Sequence, residues 1–165
     1  LPDCFIVRYE YGKLVFTDCH YERGNFLSKT AVSSIEVAVP GQTRFGDYLL
    51  EAGIFDAEMG AGKFKAGKTG FVEWFDWEKI KPPLIIRTRK DGDRFVPLGL
   101  AEEKKVGRFL IDQRVPQRIR KKVLVVADSE KIIWLWPIRM CGQAKITEKT
   151  KKILRLQITD AGLTQ

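Results

Sequence analysis

The chain has 165 residues, 44% of them hydrophobic and 30% charged, with a net charge of +8. That balance excludes an intrinsically disordered chain and supports one ordinary domain, or two small lobes, with a real core. The longest apolar runs, Val123–Ala127 and Ile132–Ile138, fall far short of the roughly 20 residues a membrane-spanning helix needs, so no membrane partner is expected.

The first half reads as β-structure. Phe5–Tyr9 and Lys13–Thr17 flank a Tyr11-Gly12 turn, a hairpin signal. Ser34–Val39 alternates with period two and stops at the turn dipeptide Pro40-Gly41. Residues 60–70 hold four glycines and three lysines, which predicts a mobile loop, and Phe71–Phe75 is a further β-favouring run. Pro82-Pro83 marks a seam. Beyond it Leu84–Arg89 reads as a strand and Asp91-Gly92-Asp93 as a turn in which the aspartates cap backbone groups. Over 103–114 the spacing turns helical, with Val106, Phe109, Leu110 and Gln113 on one face. Pro116–Lys122 suits a second short helix with proline in its first turn. Val123–Ala127, Ile132–Trp136 and Lys152–Ile158 follow as strands. The reading is an α+β, mainly β domain over 1–158 with a fraying tail, 159–165, and with Phe109, Leu110, Val125 and Ile133 in its core.

No secretory signal follows Leu1, and the absence of Met there points to a processed chain or an excised fragment. The three cysteines, Cys4, Cys19 and Cys141, are too few and scattered for a disulfide scaffold and fit a reducing, cytoplasmic setting. A zinc ion shared by them and His20 lacks the usual CxxC pair. Gly62–Thr69 fits the phosphate-cradling pattern G-x-x-x-x-G-K-[ST], which makes a nucleotide-binding protein one competing reading. That mechanism requires a buried strand before the loop and a helix after it. Ala57–Gly60 and the β-favouring run from Phe71 supply neither.

Charge is segregated. Residues 1–80 carry nine Lys and Arg against twelve Asp and Glu, whereas residues 81–155 carry twenty against eight. A basic excess confined to one half is the footprint of a polyanion partner. Backbone phosphates are gripped by cations spaced along a surface, and arginine adds bidentate geometry. Arg87, Arg89, Lys90 and Arg94 cluster on one strand and turn, and Lys104, Lys105 and Arg108 open the first helix. Arg114, Arg118, Arg120, Lys121 and Lys122 surround the second helix, and Arg139 follows in the last third. Trp134 and Trp136 have the chemistry to stack on bases, but their place in an apolar strand favours core packing. A basic face docked on an acidic protein domain, or on a second copy as a homodimer, is the remaining reading.

The run Pro83–Gly99 resembles the PL-x-x-R-x-R-x-x-GDRF-x-PLG segment of tRNA(Ile)-lysidine synthetases. The likeness continues through Lys104-Lys105, Phe109, Asp112, Val115-Pro116, Arg120, Trp134, Arg139 and Thr147–Lys151. Upstream, Val39–Thr43 resembles the family's VPG-x-T turn, and Asp76 stands where the family has an aspartate before the PL segment. The resemblance is dense over 82–157 and thin over 1–80, and Met140-Cys141-Gly142 departs from the family's more polar stretch. It implies a fold, a layered β/β/α sandwich also found in the phenylalanyl-tRNA synthetase β subunit. It implies a partner, tRNA(Ile), held near its acceptor stem. The family's chemistry joins lysine to the wobble cytidine and uses ATP and magnesium. It belongs to an N-terminal catalytic domain with an SGGxDS loop that this sequence lacks, so no cofactor is expected in this chain.

Overall fold

The structure is a computed structural model, and it describes residues 4–10, 13–19, 33–59 and 71–160, with side chains for 33–58 and 71–160. In chain order the strands of the first half are β1 (Cys4–Glu10), β2 (Lys13–Cys19), β3 (Ser34–Glu36), β4 (Gly41–Phe45), β5 (Tyr48–Asp56) and β6 (Val72–Asp76). Then come β7 (Ile85–Thr88), β8 (Arg94–Phe95), β9 (Lys104–Lys105), α1 (Val106–Asp112) and α2 (Gln117–Arg120). The chain closes with β10 (Leu124–Ala127), β11 (Ile132–Trp136), β12 (Arg139–Met140) and β13 (Lys152–Asp160).

Two larger sheets carry the fold. One is ordered β12-β11-β10-β7-β3 and the other β4-β5-β13-β6; β1–β2 and β8–β9 form separate two-stranded ribbons. Both larger sheets mix strands from either side of Pro82-Pro83. A single buried cluster joins Val37, Leu50 and Phe75 to Ile86, Val125, Trp134 and Leu156, so the proline pair is a crossing between layers rather than a break between cores.

The layer order follows from where side chains point. Successive residues of a strand face opposite ways. Trp134 of β11 meets Phe75 of β6 with ring centroids 6.0 Å apart, and Trp136 meets Tyr48 of β5 at 5.3 Å. Both tryptophans therefore face the four-stranded sheet. Leu135 and its register partner Arg139 face the other way, where the Arg139 guanidinium lies 5.3 Å from the ring of Phe109 in α1. Phe109 in turn packs edge-on against Phe95 at 5.1 Å. The five-stranded sheet is thus the middle layer of a β/β/α sandwich. That explains why every residue of β10 and β11 is buried: a strand covered on both faces reads as a continuous apolar run.

Phe109, Leu110, Val125 and Ile133 are all buried, as the apolar spacing predicts. Other expectations are corrected. The helix predicted over 103–114 is confined to Val106–Asp112, because Lys104 and Lys105 are drawn into pairing with Phe95 and Arg94. The second helix begins at Gln117, with Pro116 as its N-cap residue. The strand expected over 34–39 ends at Glu36. The last strand does not stop at Ile158: Thr159 and Asp160, assigned to a fraying tail, pair with Leu49 and Tyr48. The hairpin β4–β5, turning at Gly46-Asp47 with Gly46 at φ 57°, has no counterpart in the sequence reading. The expected loop at 60–70, the Tyr11-Gly12 turn and residues 161–165 lie outside the described residues.

Two buried carboxylates fix the connection between the sheets. Asp128, in the turn between β10 and β11, accepts from the backbone N–H groups of Lys81 (3.0 Å), Glu130 (2.8 Å) and Lys131 (2.8 Å) and from Lys131 Nζ (2.6 Å). Lys131 Nζ also donates to the Lys79 carbonyl at 2.8 Å. At the end of β6, Asp76 accepts from Thr150 Oγ1 at 2.8 Å and from the Glu78 N–H at 3.1 Å. Burial pushes the Asp128 carboxyl up, but Lys131 and the three amides outweigh it and leave it below the ordinary value of 3.8.

A carboxyl held lower in the folded than in the unfolded chain adds stability that is complete above its unfolded value and is lost as pH falls through its folded value. Urea stability should therefore stay level above about pH 5 and fall below about pH 4. Asp128→Ala should cost about 3–5 kcal/mol at neutral pH, because it strands a half-buried ammonium and three amides. Asp128→Asn should flatten the acid limb. An acid limb of equal depth in Asp128→Asn would show that this carboxylate does not set it.

Candidate nucleic-acid interface

The interface is built outward from one turn. Asp93, which ends the turn after β7, accepts both guanidinium nitrogens of Arg87 at 2.8 and 2.9 Å and the Lys90 N–H at 2.8 Å. Its backbone carbonyl accepts the Val106 N–H at 2.8 Å, which fastens the turn to the start of α1. Burial works against the Asp93 charge, yet Arg87 and the Lys90 amide hold its carboxyl below the ordinary range. Asp93 is therefore spent on architecture, as the capping reading of the Asp91-Gly92-Asp93 turn expects, and so is most of Arg87, whose side chain is 11% exposed.

From that corner β8 and β9 run antiparallel, with Arg94 opposite Lys105 and Phe95 opposite Lys104. Paired residues share a face. Phe95 is buried and Lys104 half-buried, so the opposite face presents Arg94 and Lys105 to solvent. Arg94 lies 3.6 Å from Glu103, an exposed pair worth little against a phosphate. The Arg89 guanidinium runs alongside the first turn of α1: a Cβ at Gly107 would lie 3.3 Å from Arg89 Nη1. Arg108, 73% exposed, reaches Asp112 at 3.1 Å across one helical turn. Arg89, Lys90, Arg94, Lys105 and Arg108 thus form one basic ridge.

A second group surrounds the end of α1. The Val115 N–H donates to Leu110 O at 3.0 Å and the Arg114 N–H to Ile111 O at 2.9 Å. This is a Schellman cap, with buried Val115 against buried Leu110. Arg114 occupies its left-handed position at φ 57°, where glycine is the usual occupant. Arg114, Arg118 and Lys121 are exposed, and Arg120 and Lys122 are half-buried. The Arg120 Nε atom is buried without a hydrogen-bond partner. Arg139 belongs to the scaffold side: besides stacking on Phe109, it donates from Nη2 to Gln113 Oε1 at 3.1 Å and makes a long 3.5 Å contact to the Leu98 carbonyl.

Trp134 and Trp136 are 2% and 3% exposed, which places both in the core. Burial pushes the Cys141 thiol up and leaves it an inert core group. Gly62–Thr69 lies outside the described residues, but it is preceded by a 3-10 turn over Ala57–Met59 and followed by the strand β6. Neither flank meets the strand-then-helix requirement of a phosphate loop. The described residues contain no cluster of three metal-ligating side chains and no helix long and apolar enough to cross a membrane. Asp128 falls in the turn Asp128–Lys131 that the sequence places between the two apolar strands, but its bond to the Lys81 amide and the aromatic face of the four-stranded sheet have no local sequence signal.

Residues 84–158 match the TilS substrate C-terminal domain family. The chain is 33% identical over 129 residues to a tRNA(Ile)-lysidine synthase of Caldanaerobacter subterraneus subsp. tengcongensis, a match covering 72% of this chain and 27% of that protein. It is 36% identical over 90 residues to a tRNA(Ile)-lysidine synthase of Dehalococcoides mccartyi, covering 54% of this chain and 19% of that protein. The chain therefore corresponds to less than a third of the length of these curated relatives. A crystal structure of a TilS C-terminal domain superposes with a TM-score of 0.62 at 20% identity, over 77% of this chain and 95% of that one, and shares the fold. Over residues 84–158 the chain is similar to the C-terminal domain of the tRNA(Ile)-lysidine synthases.

The Arg114 cap yields a prediction. A left-handed residue other than glycine is strained by about 1 kcal/mol. Arg114→Gly should therefore raise urea stability by up to about 1 kcal/mol, less what the more flexible unfolded chain takes back. A clear loss of stability would mean that the arginine side chain itself braces the cap.

Proposed function

We propose that this chain is the tRNA-recognition domain of a tRNA(Ile)-lysidine synthase and performs no chemistry alone. It grips isoleucine tRNA on its acceptor-stem side. A separate N-terminal domain of the same enzyme, supplied with ATP and magnesium, then attaches lysine to the wobble cytidine. The observation that carries this reading is the solvent-facing pair Arg94 and Lys105, flanked by Arg89, Lys90 and Arg108 on rigid elements. The relatives' names and the family match support the partner.

The ridge suits backbone rather than base recognition. It consists of cations, with Gln113 already engaged by Arg139, and base edges are read by amides and bidentate pairs in a groove. Arg114, Arg118, Lys121 and the half-buried Lys104, Arg120 and Lys122 extend the basic surface past α1. Arg87 and Arg139 contribute by holding the turn and the Leu98 loop. Catalysis is assigned to the other domain, to which the family resemblance gives the ATP-binding SGGxDS loop.

Each neutralised phosphate releases condensed counterions, so affinity should fall with salt at a slope of roughly −0.7 to −0.9 per contact, taking DNA values as a guide. The double change Arg94→Ala/Lys105→Ala should lower that slope by about 2 and weaken different RNAs nearly equally. An unchanged slope in a folded double variant would move the binding face elsewhere. Binding by the unmodified chain that is absent at low salt, together with self-association in sedimentation, would replace this reading with a protein-interaction module.

A further inference from the structure

The four-stranded sheet turns one face to the core through Leu50, Ala52, Phe75, Leu154, Leu156 and Ile158. Its other face is unlike an ordinary solvated one. Register places Gly53, Arg155 and Trp74 in one row across β5, β13 and β6, and Gln42, Glu51 and Gln157 in the next row. The Arg155 guanidinium lies 5.6 Å from the Trp74 ring centroid, and the Phe55 ring lies 6.3 Å from it. Phe55 is 48% exposed, the only aromatic among the exposed large hydrophobics of the described residues.

Phe55 does not stand upright on the sheet. A Cβ on Gly53 would lie 2.9 Å from Phe55 Cε2 and 3.1 Å from Cζ, so the ring lies down along its own strand over the bare glycine. Only glycine at position 53 leaves that space. A ring held flat turns one π-face to the sheet and the other to solvent. On one side its register partner Ile153 is fully buried; on the other the surface turns polar, where Arg155 donates to Gln157 Oε1 and Gln42 Nε2 donates to the Glu51 carboxylate at 2.7 Å. A protein-docking face has an apolar centre with charge confined to its rim. Here a guanidinium lies in the row that the ring covers and amides in the row beyond it, and one flat hydrophobe is exposed. That combination fits a planar, polar-edged, anionic ligand: the base stacks, the amides meet its edge and Arg155 answers its phosphate.

We infer that this face, led by Phe55 with Trp74, Arg155 and Gln157, is a stacking platform for an unpaired nucleotide, separate from the basic ridge. The inference takes its RNA partner from the proposed function, but the two act through different physics. Stacking discriminates unpaired from paired RNA and carries little salt dependence of its own, whereas the ridge follows the backbone charge of either.

The test titrates the full chain with an unpaired RNA oligomer of about ten nucleotides and with a blunt RNA duplex, at several salt concentrations. Binding of the oligomer should quench tryptophan fluorescence. Phe55→Ala should weaken the oligomer about five- to hundredfold, with the salt slope and the duplex affinity unchanged. Phe55→Leu, which restores apolar cover over Gly53 without a π-face, should behave like Phe55→Ala, and Phe55→Tyr like the unmodified chain. Equal oligomer affinity in all four proteins, or full rescue by leucine, overturns the platform. So does a dimer in sedimentation that Phe55→Ala converts to monomer, because the face then serves self-association. An Arg94→Ala/Lys105→Ala variant that keeps its salt slope while Phe55→Ala still loses the oligomer would sink the ridge and leave the platform standing.

Discussion

The fold depends on how residues 76–81 are held. This short segment carries the chain from the four-stranded sheet to the five-stranded one, and no regular sheet hydrogen bonding spans that step. Asp76 at its start is tied to Thr150, just ahead of β13, and Asp128 holds the Lys81 amide at its end. The Ser129 N–H returns a bond to the Lys81 carbonyl, and Lys131 Nζ caps the Lys79 carbonyl. Lys79 Nζ reaches on to the Lys145 carbonyl at 2.9 Å. Two aspartates and two lysines thus close a polar strap across the edge of an apolar sandwich. A buried carboxylate is tolerated there because its bonds are satisfied, and for the same reason it is costly to protonate or remove.

That strap sets what the other side of the molecule can do. With the sheets locked together, β10 and β11 are covered on both faces and form a rigid middle layer. The helices and the β8–β9 ribbon are seated on this layer through buried Phe95, Val106, Phe109, Leu110 and Ile119, through Arg139 against Phe109 and Gln113, and through bonds from the Leu98 N–H to Met140 O and from the Gly142 N–H to Val96 O. A two-residue strand pair would not persist in water alone. Here Asp93 and Arg87 on one side and the aromatic pair beneath supply the order that pairing cannot. The exposed cations therefore sit on short elements whose positions are determined from below.

This dependence explains which parts were legible in the sequence. The middle layer was, because a strand buried on both faces is an apolar run, and so was the apolar face of α1. The basic character of the second half was legible from charge segregation. The hairpin β4–β5 was not. Its residues include Gly41, Asp47, Glu51, Gly53 and Asp56, poor strand formers taken locally. Pairing of β5 with β13, about a hundred residues later in the chain, makes them a strand. Lys104 and Lys105 continue the helical spacing of 106–112, and only β8 on their other side shows that they are extended. The division of the arginines into exposed and engaged was equally hidden. Arg87 looks like Arg94 until Asp93 folds back on it, and Arg139 is claimed by a helix 26 residues upstream.

Arg114, in the second basic group at the end of α1, holds a position that glycine would fill at lower cost. Glycine at that cap would relieve the backbone strain and keep both Schellman hydrogen bonds, since these are made by the backbone. An arginine there gives up stability locally and leaves its side chain exposed. Part of that loss is recovered because a cation at a helix C-terminus meets the negative end of the helix dipole. In a helix of seven residues that recovery is small. What distinguishes arginine from glycine at this point is therefore the charge it presents outward. A protein gives up stability at such a position for a function that needs the side chain. Along a surface whose other cations sit on a ribbon and a helix face, that function is the proposed grip on one extended anion.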